Sequence, residues 1–184
     1  MTETTLINKL IEKDDQAFRI LIDRHQNHIY KVCMGFLHDK EEAEDITQDV
    51  FLEVFKSIQI FKQNSSLSTW LYRIAVNKSL NHLKRQKVKQ IYLNFQEIIG
   101  IKTNAYNNSQ NILEQKEQKS HLTKALDSLP ENQRIAFTLA KYDELSYEEI
   151  ASIMNVSLSS VESLIFRART NLKKKLLKYY QEYF

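Results

Sequence analysis

The sequence predicts an all-α protein made of two small helical domains joined by a polar, flexible linker. Three observations carry that expectation. The 184 residues include only two Gly and one Pro, well below ordinary usage, which suits long helices better than turn-rich sheets. Apolar residues recur at helical spacing over most of the chain. The exception is Lys102–Gln118, with NAYNNSQN inside it, which is rich in Asn and Gln and poor in core formers. The expected boundaries are a first domain at 1–88, a linker at 89–118 and a second domain at 119–184.

Composition narrows the function classes. Hydrophobic content of 42% with 27% charged residues is ordinary for a soluble globular chain. The net charge of +3 says little by itself, and its segregation into blocks says more. A single cysteine, Cys33, excludes an internal disulfide framework and fits a reducing compartment. MTETTLINKLIEKDD carries early acids and no apolar signal-type stretch, and no run approaches the ~20 apolar residues of a membrane span. A cytoplasmic protein without membrane insertion is expected. No Gly-rich phosphate loop occurs, and the acids sit on a helix face turned away from the basic stripe described below. Neither an enzyme nor a cofactor is therefore expected. His25, His28, Cys33 and His38 match no common zinc spacing, and Cys33 falls in an apolar stripe. A small buried thiol with surface histidines is expected there, and no metal.

Taken in order, Leu6, Leu10 and Ile11 open one helix, and Ala17, Phe18, Leu21 and Ile22 another. The second continues through Ile29, Val32, Cys33, Phe36 and Leu37 until HDKEE breaks it. In AEDITQDVFLEVF, the residues Ala43, Ile46, Val50 and Val54, with Phe51 and Phe55 beside them, form an apolar face. Opposite lie Asp45, Gln48, Asp49 and Leu52, with Glu53 adjoining. A solvated face would be polar throughout, so a leucine among carboxylates marks a surface that docks onto something.

From Leu67 the next helix shows two apolar stripes, Leu71–Ile74–Ala75 and Tyr72–Val76–Leu80–Leu83. The remaining face reads Trp70, Arg73, Asn77, Asn81, Lys84. One ring, two amides and two cations in line suit unpaired bases: the ring stacks, the amides read base edges and the cations meet phosphates. From Lys62 through Gln96 there is no Asp or Glu, while Lys62, Arg73, Lys78, Lys84, Arg85, Lys87 and Lys89 all lie inside. Trp70 has two readings, core or base contact. Phe61, just before the loop, also has two, loop anchor or base platform. After Arg85 the pattern decays, and helix is expected again from about Ile112.

The second domain opens with Leu122, Leu126 and Leu129, stopped at Pro130. Arg134–Tyr142 is the next helix, with Ile135, Phe137, Leu139 and Ala140 as core. Ser146 through Glu149 has the form of a capping box, and Ile150, Ala151, Ile153 and Met154 give the helix that follows its inner face. Asn155-Val156-Ser157 supplies a tight turn in which Asn tolerates a left-handed backbone. Ser157 then caps a helix with Val161, Leu164, Ile165, Ala168 and Leu172 inside. This is a helix-turn-helix, whose second helix enters the major groove. Its outward residues are Ser159, Ser163, Phe166, Arg167, Thr170 and Lys174. Small hydroxyls permit close approach, and the Phe166 ring suits a thymine methyl. Six basic residues and no acid between Arg167 and Lys178 suit phosphate contacts.

Two stretches together carry a family resemblance. AEDITQDVFLEVF followed by STWLYRIAVNKSLNHLKR resembles region 2 of a bacterial RNA polymerase sigma factor of the extracytoplasmic-function (ECF) group. AFRILIDRHQNHIYKVCMGFLHD is similar to the start of that region, where paired helices buttress the docking helix. ALDSLPENQRIAFTLAKYDELSYEEIASIMNVSLSSVESLIFRARTNLKKKL resembles region 4 of the same group. The short linker leaves no room for the extra domain of larger sigma factors, which points to the minimal type. The resemblance implies a transcription initiation factor with two main partners, core RNA polymerase (through the clamp helices of its largest subunit and its flap) and promoter DNA. Asp45, Gln48, Asp49, Leu52 and Glu53 would bind core polymerase. Phe61, Lys62, Asn64, Ser65, Trp70, Arg73, Asn77, Asn81 and Lys84 would capture the −10 element. Ser159, Glu162, Ser163, Phe166, Arg167, Thr170 and Lys174 would read the −35 element. An anti-sigma protein is the implied regulator. Glu162 and Leu164 stand where the family often has basic residues, and Ser160 replaces a more usual Thr. The alternative is a helix-turn-helix regulator acting on duplex DNA alone, which leaves the Asp45–Leu52 and Trp70–Lys84 faces without a task.

Overall fold

The computed structural model describes residues 2–98 and 121–183, with side chains described through Tyr92 and from His121 to Leu177. The linker stretch 102–118, the helix start expected near Ile112 and the Lys178 side chain lie outside the described residues. In chain order the described elements are α1 (Glu3–Ile11), α2 (Asp15–Leu37), α3 (Lys40–Ser57) and a 3-10 turn (Ile58–Ile60), then α4 (Leu67–Ile98) and α5 (His121–Asp127). They continue with α6 (Glu131–Tyr142), α7 (Tyr147–Met154) and α8 (Leu158–Tyr183).

Capping chemistry sets the helix starts of the first domain. Thr2, Asp14 and Asp39 each hold an extended backbone and accept from an amide three residues on, satisfying a donor that the first turn leaves free. Two groups start α4: the Ser66 hydroxyl accepts from the Thr69 amide at 3.1 Å, and the Glu3 carboxylate from the Leu67 amide at 2.7 Å. The first turn of α4 has no acid of its own, so α1 supplies the negative charge that a helix N-terminus favours. His38 ends α2 in the left-handed region (φ 55°), and the chain reverses into α3.

The faces read at helical spacing are the ones that pack. Leu6, Leu10, Leu21, Ile29, Phe36, Ile58 and Leu71 are fully buried, with Ala43, Val50 and Val54 of α3 closing over them. Each large side chain of this set contributes about 1.5–3 kcal/mol through burial. Phe55 departs from the expected inner face: it is 42% exposed, its ring tilted by 57° against Phe18 at 4.8 Å with the Lys13 ammonium 5.6 Å from it. α4 also runs past the boundary expected at 88. Val88, Ile91 and Tyr92 there are 67%, 68% and 61% exposed. Among the described side chains there, these apolar residues pack into no core, so nothing holds them to a period.

In the second domain α5 and α6 pack on α8, and Ala125, Leu126, Leu129, Ala168 and Leu172 form a small core of their own. Leu122 lies outside it, 49% exposed. The capping box is present, with Ser146 and Glu149 each bonding the other's amide, and Asn155 adopts φ 55° at the turn. The two domains are packed together. α6 lies on α2 and α7 on α4, so that Ile135, Leu139, Ile150 and Ile153 share one apolar core with Phe36, Leu71 and Val76.

Candidate nucleic-acid and polymerase interface

On α3, Asp45, Gln48 and Asp49 are exposed and Leu52 is 55% exposed. Phe55 and Ile60, the latter 75% exposed, extend the apolar part of this face. Glu53 corrects the expectation that the acids turn away from the basic stripe. It is half-buried and lies 3.3 Å from the Lys78 ammonium of α4. Glu42 likewise meets His82 at 3.4 Å and bonds Gln86. The acidic and basic faces therefore touch along the α3–α4 edge, while Asp45, Gln48, Asp49 and Leu52 point into solvent.

The loop before α4 presents Lys62 and Asn64 to solvent, with Ser65 half-buried. Phe61 is buried, and its ring stacks on Trp70 at 4.8 Å with 25° between the planes. Phe61 thus backs Trp70 from the loop side. Trp70 itself is half-buried and packs against the core. Asn77 and Asn81 are exposed. Arg73 is not free: Nε donates to the Ile153 carbonyl at 3.0 Å and Nη2 to the Ser152 carbonyl at 2.6 Å. Lys84 lies 3.0 Å from Glu131 of α6. Arg73, Val76 and Asn77 line a cleft of about 270 Å³ whose other wall is Asn132, Ile135, Ile153 and Met154.

On α8 the structure brings Ser159, Glu162, Ser163, Phe166, Arg167, Thr170 and Lys174 to one exposed face. Phe166 is 71% exposed, a large apolar ring held in water. Two hydroxyls of the row also serve the helix itself: Ser159 bonds the capping Ser157 at 3.1 Å, and Thr170 donates to the Phe166 carbonyl at 2.9 Å. Leu164 packs against the core, which explains an apolar residue at that position. Lys175, beside the row, donates to the Ser128 hydroxyl and ties α8 to the end of α5.

Sequence reasoning missed four residues that join the domains. Arg134 was read only as a helix start. It is buried, and Nη2 donates to the Phe36 carbonyl at 2.5 Å and meets Asp127 at 2.8 Å. Burial pulls its guanidinium below the usual range, while Asp127 pulls it back. Asp143, with a side chain 1% exposed, lies 2.8 Å from His28 Nδ1 and accepts the Tyr72 hydroxyl. Burial, then the Asp143 carboxylate, pushes the Tyr72 phenol up. Gly35 faces Thr138 and the Tyr142 ring so closely that an added Cβ would come within 2.7 Å of both. Polar residues scattered on two separate domains carry no periodic signal.

Fold and surface together define a two-domain helical protein pairing an acidic–apolar docking helix with a basic helix and a helix-turn-helix. Comparison with known proteins is consistent with that class. Sigma-70 region 2 matches residues 21–88, and sigma-70 region 4 matches residues 121–172. The ECF RNA polymerase sigma-E factor of Escherichia coli K12 is 32% identical over 96% of this chain and 95% of its own. The RNA polymerase sigma-H factor of Pseudomonas aeruginosa is 32% identical over 93% and 92%. Among solved structures, CnrH in complex with the cytosolic domain of CnrY has a TM-score of 0.65 at 20% identity, covering 95% of this chain and 96% of that one. RpoE from Bartonella quintana, in complex with the anti-sigma factor NepR, has a TM-score of 0.58 at 21% identity, covering 86% and 96%. The chain belongs to the sigma-70 family, in its extracytoplasmic-function group, and its role is promoter-directed initiation by RNA polymerase. No described helix is long and apolar enough to cross a membrane.

Proposed function

We propose that the two faces of the first domain divide the work of initiation between protein and DNA. The exposed Asp45–Gln48–Asp49–Leu52 row, continued by Glu53, docks on the clamp helices of the polymerase largest subunit. Lys62, Asn64 and Ser65 of the loop, with Trp70 backed by Phe61, and Arg73, Asn77, Asn81 and Lys84 of α4, capture an unstacked base of the −10 element. Extruding a base costs a few kcal/mol, and stacking at about 1–3 kcal/mol per base with added phosphate contacts offsets that. The α8 row from Ser159 to Lys174 reads the −35 duplex, with Phe166 against a thymine methyl and Glu162 accepting from a cytosine amino group. The second domain also meets the polymerase flap.

One observation carries this reading: Leu52 stands 55% exposed within an acidic row on α3, one helix away from a surface with no acid between Lys62 and Gln96. The chain performs no catalysis of its own, acts in the cytoplasm and is regulated by an anti-sigma protein, the kind of partner RpoE carries in its complex with NepR. The domains are assigned as 1–88, extended by the rest of α4, and 119–184.

Run-off transcription with core polymerase tests the reading on wild type, Asp49→Arg and Asn77→Ala. Asp49→Arg abolishes transcripts through lost core binding, and Asn77→Ala keeps core binding but weakens opening. Transcripts that survive both substitutions unchanged would refute the assignment.

A further inference from the structure

Glu3 serves a helix other than its own. It is the first residue of α1, and its carboxylate accepts from the Leu67 amide at 2.7 Å, 64 residues along the chain. Leu67 opens α4, whose first turn carries no acid, and no Asp or Glu occurs from Lys62 through Gln96. Neither the loop nor α4 can therefore supply the negative charge that a helix N-terminus favours. The Ser66 hydroxyl accepts from the Thr69 amide, which leaves the Leu67 donor to another group. α1 is placed to provide it. Its Leu6, Ile7 and Leu10 are buried in the core of the first domain, and it packs against the 3-10 turn that leads into the loop. Thr2 caps α1 itself, accepting from the Thr5 amide at 3.3 Å. Glu3 lies outside the residues 21–88 matched by sigma-70 region 2.

The loop tied in this way is the one that presents Lys62 and Asn64 to solvent. Phe61, buried and stacked on Trp70, holds its start, and Ser66 and Glu3 hold its end on the first turn of α4. Between these anchors Gln63 has φ 55°, a left-handed backbone that a residue other than glycine keeps where its surroundings impose it. We propose that Glu3 is a positioning residue for promoter opening: by holding the Leu67 amide it fixes the end of the Lys62–Ser66 loop, and with it the angle at which Lys62, Asn64 and Ser65 meet the extruded −10 base. The proposal rests on assigning that loop to the −10 element. Glu3 acts through Leu67 and touches no base. A carboxylate acting on DNA directly would repel phosphate, so its removal would tighten promoter binding; removal of a positioning carboxylate weakens base selection instead.

The test uses holoenzyme assembled from core polymerase and the full chain. Its templates are a promoter fragment recovered by run-off selection and single-base replacements across the −10 element of that fragment. Fluorescence of 2-aminopurine placed just downstream of the element follows opening. The readout is the ratio of opening rates on the parent fragment and on the replacement that slows the wild type most. A loss of folded chain lowers both rates alike and leaves the ratio unmoved. Glu3→Ala lowers the ratio roughly fivefold, with core binding and −35 duplex binding unchanged. Glu3→Gln, which keeps an oxygen acceptor without the charge, recovers part of it. Asn64→Ala also lowers the ratio, and adding Glu3→Ala to it lowers the ratio little further, because both residues act through one loop. An unchanged ratio in Glu3→Ala beside a lowered one in Asn64→Ala would overturn the positioning role and leave the −10 assignment standing. Ratios unchanged in both would overturn the assignment and the positioning role with it. Tighter promoter binding by Glu3→Ala would show a carboxylate facing DNA and would overturn the proposal as well.

Discussion

Arg134→Ala removes a buried side chain that ties the second domain to the first. Its guanidinium is the donor to the Phe36 carbonyl at 2.5 Å, the partner of Asp127 at 2.8 Å and a cation 5.7 Å from the Phe36 ring. A buried carbonyl left without its donor costs about 1–3 kcal/mol. The Asp127 side chain is 28% exposed, so loss of its partner is discounted for solvent and adds about 1 kcal/mol. Lost contact of the aliphatic stem adds about 1 kcal/mol more. The expected destabilisation is therefore about 3–5 kcal/mol, read as a lowering of the urea midpoint by about 1.5–2.5 M for a slope near 2 kcal/mol/M. Far-UV circular dichroism through a urea titration is the assay. Arg134→Met keeps the stem and recovers about 1 kcal/mol of the loss. A midpoint shift worth less than about 1 kcal/mol for Arg134→Ala would refute the capping argument.

Three further outcomes are expected. Burial pushes the Cys33 thiol up, so an aromatic disulfide reagent labels it slowly in the native chain and fully in urea; fast native labelling would show that the α2 core is open. Burial, then the charges of His28 and Arg24, hold the His25 imidazole below its ordinary 6.5. Its folded value is depressed for a base, so the unfolded chain binds more protons in that window. The stability it supports is present above pH 6.5 and lost as pH falls through the folded value. Urea midpoints measured from pH 7.5 down to 5.5 should fall for wild type and flatten for His25→Gln, and parallel curves would contradict this. Phe166→Ala removes a ring that is 71% exposed, so stability changes by less than about 0.5 kcal/mol while −35 duplex binding by the holoenzyme weakens roughly tenfold. A large loss of stability would mean that the ring packs on the protein.

How much of this was legible in the sequence depends on whether a residue's neighbours are local. Ser146, Glu149, Asn155 and Ser157 act within a few positions of themselves, and the helix-turn-helix was readable from them. The outward row of α8 followed from its inward one by helical geometry. Phe61 and Trp70 were not decidable, because the pairing of their rings depends on the path of the intervening loop. Tyr72 read as one more apolar residue in a stripe, yet its hydroxyl meets Asp143, 71 residues away. Arg134 and Phe36 are 98 apart, and no periodicity links such pairs. The continuation of α4 past 88 was hidden for a different reason: Val88, Ile91 and Tyr92 are exposed, and apolar residues that pack on nothing imprint no pattern.

Permanganate probing of thymines on a promoter fragment recovered by run-off selection tests the central claim most directly. With core polymerase and this chain together, thymines of the −10 region become reactive, and with either component alone they do not. Protection of duplex DNA by the chain without core, with thymines that stay unreactive when core is added, would contradict the promoter-opening role and leave a helix-turn-helix regulator in its place.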